Sequence, residues 1–217
     1  MNTDMEKRFV KNYVKKNKRD RIMDYPIFEL ESPIRKDSFD DFTKDEAELY
    51  FKWYTEHICE RIKHLEEYIR MDDILAKLDF SVASLIPIWD WYESRIEIEH
   101  YTLRELKKKA KDYPEWLRRE ILSDDTKISL KTLAICSDLA IYFAEVIRRN
   151  NTEHIYWGYY TKPKNRMSVN EPVLLGFANN IEMNPRRILY NCTLESTEKA
   201  EKKMLLNLYY TWMKYIK

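Results

Sequence analysis

The chain has 217 residues, 44% hydrophobic and 35% charged, enough apolar material for a real core beneath a heavily charged surface. Thirty-eight basic and 37 acidic side chains nearly cancel, so no global field recommends a nucleic acid as partner. Only two glycines occur, Gly158 and Gly176, which excludes a Walker loop and a GxGxxG fingerprint and turns the expectation from nucleotide-binding α/β folds toward helices. The fold class expected is α+β, predominantly α, with a helical bundle-like core and a small antiparallel sheet near residues 154–190.

Residues 1–42 read as a basic, extended N-terminal arm, and 43–217 as a single mostly helical domain. The arm is basic over 7–21, with Phe9, Val10, Tyr13 and Val14 spaced for a short amphipathic helix; Pro26 and Pro33 bracket an extended stretch. Its charged start lacks the apolar region of a signal peptide, so a cytoplasmic location is the expectation. Thr43 and Glu46 form a capping-box pattern at the head of a helix running to about residue 70. Its apolar stripe is Ala47, Tyr50, Tyr54, Ile58, Ile62, Leu65 and Ile69.

A second helix is expected over 81–93, kinked or divided at Pro87, and a short strand at 96–98. Residues 102–111 and 114–122 read as short helices, the latter with proline in its first turn. The most informative element is a long helix over 129–149, apolar on nearly every face and ending in Arg148-Arg149, which suits the negative end of its dipole. It is short for a membrane span and interrupted by acids, so no membrane role is expected. The pattern then becomes strand-like at 154–160 and 172–177, with a possible third strand at 187–190, before a last helix over 196–215.

Asp138 and Glu145, two helical turns apart, lie on one face of the long helix, about 10 Å apart along its axis. A buried carboxylate must be paired, protonated or bound to a cation. One reading is a ligand-binding or acid–base site built on this pair. The other is a buried polar network in which both acids accept hydrogen bonds from Tyr, Trp or Arg of the following sheet. With 16 Tyr, 6 Trp and many Arg in the chain, the second reading is favoured.

His57, Glu60 and His64 share a helix face but lack the HExxH spacing, and Glu97–His100 is a solitary ExxH, so no metal is expected. Cys59, Cys136 and Cys192 form neither a CxxC pair nor a disulfide framework. Asp72-Asp73 and Asp124-Asp125 read as turn and cap residues. No GxSxG elbow exists, and neither a catalytic residue nor a cofactor is assigned. Residues 156–166 interleave aromatics with bases. Trp157, Lys162, Lys164 and Arg166 are the candidate contact residues, for a protein partner or, in a less favoured reading with the basic arm, for nucleic acid.

The run Asp138-Leu-Ala-Ile-Tyr-Phe-Ala-Glu145, Trp157-Gly, Thr161-Lys-Pro-Lys-Asn and Asn170-Glu-Pro-Val-Leu-Leu-Gly-Phe177 resembles small bacterial immunity-type proteins that accompany secreted toxins. The resemblance covers about the last 90 residues and implies a cytosolic binding protein whose partner is a toxin. It contains no diagnostic catalytic motif and identifies neither a particular toxin nor a contact residue. The alternative remains an enzyme or ligand-binding protein using Asp138 and Glu145.

Overall fold

The computed structural model describes residues 25–36, 38–72 and 77–216; the basic run at 7–21 and Asp73 lie outside them. Thr43 accepts from the Glu46 amide while the Glu46 carboxylate accepts from the Thr43 amide, which starts α1 (Lys44–Glu56). The expected single helix is two: the chain breaks at His57, whose ψ of 3° leaves the helical region, and resumes as α2 (Ile58–Arg70). A 3-10 turn, Val82–Ser84, leads into α3 (Leu85–Glu93). Pro87 sits in the first turn of α3, where its missing N–H has no helical partner to lose.

Next come β1 (Ile98–His100), α4 (Leu103–Lys111), α5 (Glu115–Ser123) and β2 (Thr126–Ile128). The expected strand at 96–98 thus starts two residues later. Its antiparallel partner β2, with Ile98 opposite Ile128, was not foreseen. Helix α6 (Leu130–Arg149) begins at Ser129, whose hydroxyl accepts from the Thr132 amide. Strands β3 (Tyr156–Gly158) and β4 (Val173–Leu175) pair antiparallel, with Trp157 opposite Leu174.

The chain closes with α7 (Pro185–Glu198) and α8 (Met204–Met213). The expected third strand at 187–190 is helix instead. Asn184 accepts from the Arg187 amide and Pro185 occupies the first helical position, so a helix is nucleated where the apolar run alone suggested a strand. The expected helix over 196–215 is likewise the tail of α7, a break, and α8, entered through Lys203 at a φ of 65°.

The fold is α+β and predominantly helical, with two small two-stranded antiparallel sheets among the described residues. Helix α6 is the spine. Leu139, Ile141, Tyr142, Phe143, Val146 and Ile147 are fully buried, and α6 packs chiefly against α7 and α2, while α3 packs on α8. Burying each such side chain favours folding by about 1.5–3 kcal/mol. Tyr25, Phe39 and Phe42 belong to the same core, so the chain is packed well before residue 43. Gly176 adopts a φ of 102° with the His154 carbonyl where a Cβ would stand, so only glycine fits there. Among the described residues no helix is long and apolar enough to cross a membrane.

Candidate functional site

Both carboxylates of α6 are buried, Asp138 at 2% and Glu145 at 1% exposure, and each is held by a different set of partners. At Asp138, Arg61 of α2 donates Nε–H to Oδ1 at 2.5 Å and the Tyr25 hydroxyl donates to Oδ2 at 2.5 Å. These partners precede α6 in the chain, so the expectation that the following sheet would supply them is corrected at this residue. Two elements far apart in sequence converge because α2 packs along α6 and the 25–31 segment lies over both. Arg61 is 1% exposed, and its Nη2 also donates to Glu29 at 2.8 Å and to the Ser137 hydroxyl at 3.0 Å. The Ser137 hydroxyl in turn donates to Glu29 at 2.5 Å. The Arg61 guanidinium lies 4.9 Å from the Phe28 ring centre, and its Nη1 has no hydrogen-bond partner among the described residues.

The electrostatics follow from this geometry. Burial pushes the Asp138 carboxyl above its ordinary value; the Arg61 charge opposes the rise without cancelling it. Burial and the neighbouring Asp138 raise Tyr25, which therefore remains a phenol that donates. Glu29 behaves oppositely. Burial alone would raise it, but the Arg61 charge and the Ser137 hydroxyl hold it below the usual carboxylate range.

At Glu145 the partners are local. Arg148 donates through Nε to Oε1 at 2.7 Å and through Nη2 to Oε2 at 2.8 Å, a bidentate pair. Arg149 Nε adds a bond to Oε2 at 2.9 Å, and the Trp157 indole N–H of β3 donates to Oε1 at 2.8 Å. Here the following sheet does contribute. Burial would raise Glu145, but these hydrogen bonds outweigh it and hold the carboxyl below its ordinary value.

A third buried acid, Glu171, was missed. Its Oε1 accepts from Arg187 Nε at 3.1 Å and Nη2 at 2.5 Å, and its Oε2 from Asn184 at 3.0 Å and Arg186 at 2.7 Å. Burial raises it, yet the two guanidiniums bring it below the usual range. A signal existed: Asn184-Pro185 starts a helix, and two arginines in a first turn oppose the dipole unless an acid accompanies them.

The surface candidates are only partly brought together. Lys162 and Lys164 are exposed on the loop after β3. Arg166 stacks 3.8 Å from the Tyr160 ring centre, and its Nε lies 3.3 Å from a Glu182 carboxylate oxygen. Trp157 turns inward, edge-on to Tyr54 at 5.5 Å, while Tyr156 is 57% exposed.

The remaining candidates take structural places. His57 packs on Phe28 and Trp53, with Nδ1 2.7 Å from the Trp53 carbonyl. His100 stands on β1, 3.1 Å from Asp125, so the Glu97–His100 pair is not helical. Asp72 accepts from Trp91 Nε1 at 2.8 Å, and Asp124 caps α5. Among the described residues no group of three or more His, Cys, Asp or Glu is placed to hold a metal ion. The chain matches no protein-family model, and neither the curated proteins nor the solved structures give a significant match.

Proposed function

We propose that this chain is a bacterial, cytosolic protein-binding protein of the immunity type, which neutralises a toxin by direct contact rather than by catalysis. The observation that carries the reading is the loop after β3. Lys162 and Lys164 stand in solvent, beside Met167, which is 76% exposed. The base of that loop is fixed: Trp157 is bonded to Glu145, Arg166 is stacked on Tyr160, and Asn170 donates to the Phe39 carbonyl at 2.8 Å. A preordered loop loses little conformational entropy on binding, which favours a tight complex.

The ligand-binding alternative has less support. All four oxygens of Asp138 and Glu145 already accept hydrogen bonds, and the two acids share no partner. The test is co-expression with the product of the adjacent reading frame, followed by purification and titration calorimetry. A stable complex is expected, weakened about tenfold or more by Lys162→Glu with Lys164→Glu through rim charge repulsion. A complex indifferent to that pair places the contact elsewhere. Absence of both a complex and protection from the toxin overturns the immunity reading.

A further inference from the structure

Residues 98–128 leave the core and return to it at the same place, since Ile98 and Ile128 face each other across the β1–β2 ladder. Between those strands, α4 and α5 pack chiefly on each other, and the buried side chains Leu106, Ala110 and Ile128 lie outside the core cluster. The excursion also exposes apolar side chains. Leu103 is 69% exposed, Trp116 80% and Leu122 42%, and α5 has no buried residue at all.

Arg104, Lys107, Lys108 and Lys111 follow the i, i+3, i+4, i+7 spacing, so one face of α4 carries all four cations over about 10 Å. With Leu103 they line an open groove of about 570 Å³. None of the four has an ion-pair or hydrogen-bond partner among the described residues, whereas Lys109, Arg118 and Lys127 of the same segment are engaged. Lys109 lies over Tyr101, and Lys127 sits 3.7 Å from Glu99. A solvated charged face is the usual meaning of such a run, and lysines at a helix C-terminus suit its dipole. Neither accounts for Arg104 in the first turn, nor for a leucine exposed among the cations.

We infer that this face of α4 is a docking groove for a short acidic segment of a partner protein, an inference that rests on the protein-binding reading above. The stripe matches a partner helix with carboxylates at the same spacing, or about three residues of extended acidic chain. Leu103 provides an apolar contact within the cationic groove, and Trp116 an exposed anchor on the adjoining helix. A long polyanion fits less well. The 98–128 segment carries eight basic and seven acidic side chains, so a nucleic acid or anionic bilayer spread over it meets Glu115, Glu120, Asp124 and Asp125 as well.

The experiment is fluorescence anisotropy with a labelled helical peptide bearing four glutamates at i, i+3, i+4, i+7 and leucines between them. Saturable binding that weakens as salt rises is expected. Lys107→Glu with Lys108→Glu should weaken it about tenfold or more, and Arg104→Gln less. Both variants alter exposed side chains, and circular dichroism checks that they fold. Lys63→Glu, on the exposed face of α2, should leave binding unchanged. No saturable binding, equal losses from Lys63→Glu, or tighter binding to a single-stranded RNA or to phosphatidylserine vesicles overturns the inference. The two proposals fail separately: a complex with a proven protein partner that survives Lys107→Glu with Lys108→Glu sinks the α4 groove alone.

Discussion

Asp138 and Glu145 sit on one helix, are equally buried and are both ionisable, yet the protein neutralises them in different ways. The cation at Asp138 is Arg61, itself 1% exposed and supplied by another helix; the cations at Glu145 are Arg148 and Arg149, a turn away on the same helix and about a third exposed. Burying both members of a pair makes each indispensable to the other, because a lone charge in the interior cannot be rehydrated. Where the cation reaches water, loss of the acid is mostly repaired by solvent. Asp138 therefore anchors a long-range tertiary junction, and Glu145 a local helix end with a strand attached.

The sharpest way to break this contrast is at Arg61. Replacing it by methionine strands Asp138 and Glu29 together, and urea unfolding should show a loss of about 3–5 kcal/mol. Asp138→Asn should cost less, about 2–3 kcal/mol, since Arg61 keeps Glu29 and Ser137. Glu145→Gln should cost about 1 kcal/mol, as its arginines return to solvent. Equal losses for the last two would remove the distinction.

Acidity sharpens it further, because the two carboxyls shift in opposite directions. Glu145 is held below its ordinary 4.5, so its contribution is present above that pH and is lost as pH falls through its folded value. Asp138 is raised above 3.8, so its linkage term favours the native state fully below that pH and is lost as pH rises through its folded value. Urea titrations from pH 6 to 3 should therefore show the gap between wild type and Glu145→Gln shrinking, and that for Asp138→Asn growing. Two gaps moving together would contradict the assignment.

The smallest effect belongs to Trp157→Phe. It keeps a ring against Tyr54 but removes the N–H to Glu145, for an expected cost of about 0.5 kcal/mol.

The same contrast explains what could be read from the sequence. The burial of α6 and of both acids was legible because apolar side chains cover nearly every face of one continuous segment. The local partners of Glu145 were partly legible for the same reason: Arg148 and Arg149 are a turn away, and Trp157 opens the next element. Tyr25 lies 113 residues before Asp138 and Arg61 lies 77, and no periodicity or spacing records contacts of that range. Arg61 is turned inward only by the packing of α2 on α6. At 187–190 the signal was present but outweighed. A short apolar run suits either strand or helix, and Asn184-Pro185 decides it. The β1–β2 pairing was hidden differently, because each strand is three residues long and a whole helical hairpin separates them.

That ladder has a consequence for how sequences of this kind can diverge. A segment that departs and re-enters through one short ladder, Ile98–His100 against Thr126–Ile128, can change in length and charge without asking the spine helix to repack. Folding then rests on α6 and its buried acids, while the docking face proposed on α4 is free to vary apart from them. The two are joined through a ladder of three residue pairs.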